Sequence, residues 1–283
     1  MAFKGQQSTG REPHWELVKR IITESDLVLE ILDARFVELS RNEEVERLIK
    51  EIGRPMIFVV NKKDLVSIEK IREQTDKLKE KGEVVFISTK KKGDEKILLY
   101  KIKQIFRKYG KRKMEIRGKF DPKPKYKAAV ADIVVGVLGY PNVGKSSIIN
   151  FLAHKKKTKV SKKSGATHGI HWINVNKEIK LIDSPGVIPL QKEDEIRYGL
   201  IGARDSEALK NPEIVAHAVI KLFLKENKKA FEEFYKIPMI GTPEDIVNKI
   251  AEKKSFLLKG GRFDENRAIA VIVRDWQQGR LRL

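Results

Sequence analysis

The chain has 283 residues, 41% of them hydrophobic, with 59 Lys+Arg against 39 Asp+Glu for a net charge of +20, and no cysteine. That length accommodates one large domain and a smaller one, and the apolar share is enough for packed cores, which excludes a disordered chain. The lack of cysteine excludes disulfides and cysteine-based zinc modules. No apolar run reaches the length of a membrane span and the first residues lack a signal-peptide core, so a cytoplasmic protein with no membrane partner is expected.

In chain order, the hydrophobic periodicity predicts a helix over Glu12–Ser25, a strand over Leu27–Asp33, a helix over Arg41–Glu51 and a strand over Met56–Val60. That strand runs into Asn61-Lys62-Lys63-Asp64, an N-K-x-D pattern. A carboxylate placed there accepts hydrogen bonds from guanine N1–H and the exocyclic amine, donors that adenine does not present in that arrangement. A buried polar site left unpaired by the wrong base discriminates by a factor of about 10⁴ or more. A helix over Ile68–Lys81 and a strand over Glu83–Ser88 follow, and Ser88-Thr89-Lys90 at that strand end is spaced to buttress the same ring. A helix over Glu95–Tyr109 leads into a charged, Pro- and Gly-containing connector.

The next strand, Ile133–Gly139, opens into GYPNVGKS, Gly139 to Ser146, and then a helix over Lys145–Ala153. This is G-x-x-x-x-G-K-S/T in the strand–loop–helix setting the motif requires. Its glycines let the backbone N–H groups, including those of Asn142, Val143, Gly144, Lys145, Ser146 and Ser147, curl around a phosphate. Lys145 supplies a cation to the β- and γ-phosphates and Ser146 a hydroxyl to Mg²⁺, at a helix N-terminus that itself favours anions. Thr167, in SGATHG, is a candidate for the switch threonine that completes Mg²⁺ coordination. Strands over Ile170–Asn176 and Glu178–Asp183 read as an antiparallel edge hairpin. The second ends in Asp183-Ser184-Pro185-Gly186, a D-x-x-G pattern whose Asp183 can hold Mg²⁺ through water and whose Gly186 N–H can meet the γ-phosphate. Lys145, Thr167 and Gly186 are thus the candidate catalytic groups.

Buried strands alternating with helices imply an α/β domain with a largely parallel sheet. From about Arg204 the pattern is all helical. Asn211-Pro212 and Thr242-Pro243 each offer an N-cap before a first-turn proline, Gly260-Gly261 is expected to stop a helix, and Asp264 to cap the last one. A GTP-binding domain over 1–205 and a helical domain over 206–283 are expected. Every nucleotide motif precedes Ser206, so GTP binding is expected to stay largely intact without the helical part.

The positive charge is clustered, in Lys101–Lys127 (Arg107, Lys108, Lys111, Arg112, Lys113 and Arg117) and in Lys155, Lys156, Lys157, Lys159, Lys162 and Lys163. Such clusters favour a nucleic acid over a merely solvated surface, because each phosphate neutralised releases counterions. Trp15 and Trp276 are read as core anchors rather than base-stacking groups.

The usual order of these elements is P-loop, switch threonine, D-x-x-G, N-K-x-D and the Ser88-like segment. Here the last two come first. This order, with Asp33-Ala34-Arg35 upstream, Ser40-Arg41-Asn42 beyond it and the closing Lys259–Leu281 segment, resembles the YlqF/RbgA family of circularly permuted ribosome-assembly GTPases, in an archaeal-like form. The resemblance implies a permuted Ras-like P-loop GTPase domain with a C-terminal all-helical domain, GTP and GDP as ligands, Mg²⁺ as cofactor, and the large ribosomal subunit precursor and its rRNA as partners. Asn142 resembles the P-loop asparagine that ligates K⁺ in several translation-related GTPases. Val187 stands where many GTPases carry a water-orienting glutamine, so slow intrinsic hydrolysis is expected, with K⁺, a partner, His14, His168 or His171 as candidates to supply the missing function. The alternative is an RNA-binding module whose nucleotide state tunes affinity with negligible turnover. An ATP-using kinase fits the P-loop but leaves Asn61–Asp64 unexplained.

Overall fold

Strand β1 (Leu27–Asp33) is buried at every position, as a near-continuous apolar run in a sheet covered on both faces should be. In the computed structural model, which describes residues 14–111, 133–153, 170–183, 188 and 194–283, it follows helix α1 (His14–Glu24), whose Val18, Ile21 and Ile22 are buried. Beyond it lie α2 (Val37–Ser40), α3 (Glu43–Glu51), β2 (Met56–Asn61), a 3₁₀ turn (Lys63–Leu65), α4 (Ile68–Lys79), β3 (Glu83–Phe86) and α5 (Asp94–Tyr109). The chain then gives β4 (Ile133–Leu138), α6 (Lys145–Leu152), β5 (His171–Asn174) and β6 (Ile179–Asp183).

The six strands are ordered β3-β2-β1-β4-β6-β5, all parallel except the edge strand β5, which pairs antiparallel with β6. The expected α/β class and edge hairpin are therefore both present. Alternation along β2 fixes two layers: Ile57 and Val59 join the larger core with α1, α3, α5 and α6, while Phe58 and Val60 join a smaller one with Leu78 of α4. The first three strands fill one half of the sheet outward from β1, and the chain then returns to the other side of β1 as β4. That reversal is a topological switch point, where open α/β sheets bind ligands beyond the carboxyl ends of their strands.

The remaining elements are α7 (Glu195–Leu200), a 3₁₀ turn (Ser206–Ala208), α8 (Pro212–Glu226), α9 (Lys228–Tyr235), α10 (Pro243–Lys253) and α11 (Glu265–Gln277). They bury a core of their own, with Trp276 at 0% exposure among Phe223, Phe231, Val219 and Ile272. Trp276 is thus a core anchor, as read from the sequence, and Trp15 packs partly buried against the larger core.

Several boundaries differ from expectation for local reasons. Helix α3 starts at Glu43 because the Asn42 side chain accepts the Val45 N–H at 3.0 Å and caps it. β3 stops at Phe86, since two residues on the Ser88 N–H turns to the Asp94 carboxylate at 2.7 Å. Thr242 caps α10 with a reciprocal capping box and Asp264 caps α11, as expected. Asn211 precedes Pro212 but makes no cap: its amide donates to the Glu195 carboxylate instead. Gly260-Gly261 does not stop a helix. α10 has already ended at Lys253, and the two glycines turn a short bridge between Leu257 and Phe263.

Candidate nucleotide site

The strands β1, β2, β4 and β6 end on one edge of the sheet in Asp33, Asn61, Leu138 and Asp183, and the chain leaving β3 reaches Ser88 two residues beyond Phe86. The Asn61 amide donates to the Val143 carbonyl at 3.0 Å, tying the N-K-x-D segment to the P-loop across 82 positions. Gly144 sits under that amide. A Cβ there would lie 2.2 Å from Asn61 Nδ2, and its φ of +106° is one that other residues rarely adopt. Lys62, itself left-handed at φ 63°, donates to the Asn142 carbonyl at 2.9 Å and to Asp33 Oδ2 at 2.7 Å. Burial pushes its ammonium below the ordinary lysine range, while Asp33 favours the charge.

Asp64 accepts from the Ser88 hydroxyl at 2.7 Å and lies 3.3 Å from the Lys90 ammonium. Partial burial opposes its charge, but the hydroxyl and Lys90 hold the carboxyl below its usual range, so it is an ionised acceptor at neutral pH. The Ser88–Lys90 segment is therefore bonded directly to the N-K-x-D aspartate. Lys145, 8% exposed, donates to the Gly139 and Tyr140 carbonyls at 2.9 and 2.7 Å. Burial pushes its ammonium down to about 8, against the opposing pull of Asp183. Ser146 and Ser147 stand exposed at the start of α6, and Val143 is fully buried behind the loop.

A cleft of about 560 Å³ gathers Asn61, Lys62, Thr89, Lys90, Asn142, Gly144 and Ser147. Its opposite wall comes from Gly202, Asp205, Ser206 and Glu207, and from Arg274, Gln277, Gln278 and Gly279 on and after α11. Residues from Ser206 onward therefore supply part of this cleft's wall, beside the nucleotide motifs that precede them. Thr167, Gly186, His168 and Val187 lie outside the described residues, as do Lys155, Lys156, Lys157, Lys159, Lys162, Lys163 and most of the first basic cluster. His171 pairs directly across from Asp183 in the β5–β6 ladder. His14 is exposed at the start of α1 and does not line the cleft.

The structure also assigns a place to Asp33, which sequence reading left as part of a motif. It is fully buried, and its carboxylate receives Arg35 Nε at 3.0 Å and Nη2 at 2.8 Å besides Lys62. Burial opposes the charge, but these two cations hold the carboxyl far below the usual range. Arg35 in turn donates to the Trp276 carbonyl and stacks 4.3 Å over its ring. Ser40 Oγ accepts the Asp33 N–H at 3.0 Å, and Asn42 donates to the Tyr140 hydroxyl at 3.0 Å. The Ser40-Arg41-Asn42 run therefore braces both β1 and the P-loop. A carboxylate ending a buried strand, with an arginine two residues on, was the available signal.

A P-loop and an N-K-x-D strand end meeting at one switch point, in permuted order, define a P-loop GTP-binding protein of the circularly permuted kind. Residues 134–249 match the family described as 50S ribosome-binding GTPase. The chain is 35% identical to an uncharacterized GTP-binding protein of Methanocaldococcus jannaschii over 95% of its own length, and spans 66% of that relative. It is 28% identical to ribosome biogenesis GTPase A of Bacillus cereus, covering 99% of this chain and 90% of that one. The fold is similar to GNP-bound YlqF from T. maritima, with a TM-score of 0.60, 19% identity and coverage of 95% and 94%. The chain belongs to the YlqF/RbgA family of circularly permuted GTPases.

Proposed function

We propose that the chain binds and hydrolyses GTP and couples its nucleotide state to association with a large ribosomal subunit precursor and its rRNA. One observation carries the reading. Two segments 80 positions apart, Lys62 and Asn142, are bonded to each other at the rim of a cleft that also holds Thr89, Lys90 and Ser147. In this reading Asp64 reads the guanine edge, Asn61 and Lys62 hold the site together, and Ser88, Thr89 and Lys90 buttress the ring. The backbone of Asn142–Ser147 and the Lys145 ammonium bind the phosphates, with Gly186 meeting the γ-phosphate.

Mg²⁺ is the cofactor. The donor set fits a hard cation: the exposed Ser146 hydroxyl opens the helix after β4, and the Asp183 carboxylate ends the neighbouring β6, in register with Val137. Thr167 is the third candidate ligand. When bound, the ion supplies charge neutralisation at the β/γ oxygens. Asn142 is the candidate K⁺ ligand, and its amide nitrogen is engaged with the Gly202 carbonyl at 2.8 Å and Asp205 at 2.9 Å. With Val187 unable to orient water, intrinsic turnover is slow and a ribosomal particle or K⁺ accelerates it.

The names of the Bacillus relative and of the matching family support the ribosomal partner, and the net charge of +20 supports its RNA. No helix among the described residues is long and apolar enough to cross a membrane, and a cytoplasmic location is proposed with the ribosomal role. A working boundary near residue 205 separates GTPase and helical domains, although Leu200 packs with the helical core and Tyr198 with the larger one. The test is GTP hydrolysis with and without large-subunit particles. Stimulated turnover supports the reading; binding of particles with no turnover in either case favours a nucleotide-tuned RNA-binding module instead.

A further inference from the structure

The cleft wall opposite the P-loop is fixed from several directions. The Trp276 indole N–H donates to the Leu200 carbonyl at 2.8 Å, which pins the last turn of α11. Gln277 donates to the Gly199 and Arg204 carbonyls at 3.0 and 2.9 Å. The Leu283 N–H donates to the Leu65 carbonyl at 3.1 Å, so Leu283 lies against the 3₁₀ turn that carries Asp64. Leu65 also fills the space beside Gly279, where a Cβ would meet its side chain at 2.7 Å.

On this fixed wall Arg274 and Gln278 stand one helical turn apart and both face the cleft. Gln277 uses its amide to hold the wall and Arg280 is tied to Asp275 at 2.9 Å. Arg274 and Gln278, by contrast, make no side-chain hydrogen bond or ion pair with another described residue. A guanidinium is the side chain best suited to a phosphate oxygen, and a carboxamide both donates to and accepts from a hydroxyl.

We infer that Arg274 and Gln278 are nucleotide-binding residues contributed by the helical part of the chain, Arg274 to an inner phosphate and Gln278 to the ribose hydroxyls. This rests on the guanine-nucleotide reading of the cleft. It adds that GDP and GTP alike hold the last helix against the P-loop, whereas the γ-phosphate acts on the segment after Asp183.

Calorimetry of the full chain with guanosine, GMP, GDP and a non-hydrolysable GTP analogue tests it. Arg274→Ala should weaken GDP and the GTP analogue equally, by roughly ten- to a hundredfold as expected of a charge-assisted hydrogen bond, and spare guanosine. Arg274→Lys should recover part of the loss. Gln278→Ala should shrink the preference for GTP over 2′,3′-dideoxy-GTP. Thermal unfolding without nucleotide should be unchanged in both alanine variants, since both side chains are exposed. Wild-type GDP affinity in Arg274→Ala, or a loss of the same size for guanosine, overturns the proposal. Lys145→Ala is the control: if it loses GDP binding while Arg274→Ala does not, the P-loop reading stands and this inference alone fails. A wild-type chain that binds no guanine nucleotide removes both.

Discussion

Asp33→Asn tests the buried hub directly. The substitution keeps the side-chain volume and one acceptor oxygen but removes the charge between Arg35 and Lys62, at contacts of 2.8 and 2.7 Å. The Arg35 side chain is fully buried, so it cannot recover water as a partner. Removing one member of a buried ion pair and stranding the other costs about 3–5 kcal/mol. At about 1.4 kcal/mol per tenfold, that is two to three and a half orders of magnitude in the folding equilibrium. Urea unfolding at pH 7 without nucleotide should register this as a lower midpoint with an unchanged slope. The Asp33 carboxyl is held below its unfolded value, so its contribution is complete above the unfolded pKa and is lost as pH falls toward the folded one. The deficit of the variant should therefore shrink in acid. Replacing Arg35 by Met as well removes the stranded charge and should restore much of the loss. A deficit under about 1 kcal/mol at pH 7 would refute the reasoning, because buried partners of this kind cannot be removed so cheaply.

Other consequences are equally specific. Lys145→Ala should weaken GTP by about 1.5–3 kcal/mol in calorimetry. Because the Lys145 ammonium is pushed down to about 8 and phosphate favours its charged form, wild-type affinity should be flat below that pH and fall as pH rises through it; a flat profile to pH 9.5 would count against the assignment. Asp64→Asn should weaken GTP and improve binding of a xanthine nucleotide, whose C2 carbonyl suits an amide donor, and unchanged GTP affinity would remove Asp64 as the base reader. Gly144→Ala should lower both stability and GTP affinity, since the added Cβ would lie 2.2 Å from the Asn61 amide at a φ of +106°; normal unfolding and binding would contradict that contact. Hydrolysis should be faster in K⁺ than in Na⁺, and the difference should vanish in Asn142→Ala.

What the sequence disclosed depended on how local its cause was. The P-loop, Asn61–Asp64 and Asp183 stand out because strand-end turns impose residue types at fixed spacings, and β1, β2 and β4 because their apolar runs are unbroken enough to be read without partners. The Thr242 cap was legible since both halves of its capping box lie three residues apart. Asn211 was misread because a distant carboxylate, Glu195, captured its amide in place of the helix end. The hub was beyond local reading for the same reason: Arg35 and Trp276 meet across 241 positions. So was the second wall of the cleft, where Arg274 and Gln278 are polar positions at the end of a helix that the sequence marks only by its core side, Trp276 included.

Sedimentation of the purified chain with large-subunit particles, in GDP and in a non-hydrolysable GTP analogue at 50 and 200 mM salt, bears most directly on the proposed role. The account predicts binding that is stronger with the GTP analogue and falls by about 10³–10⁵ across that salt range if six to ten phosphates are contacted. A chain that binds GTP yet stays in the supernatant under all four conditions would contradict it.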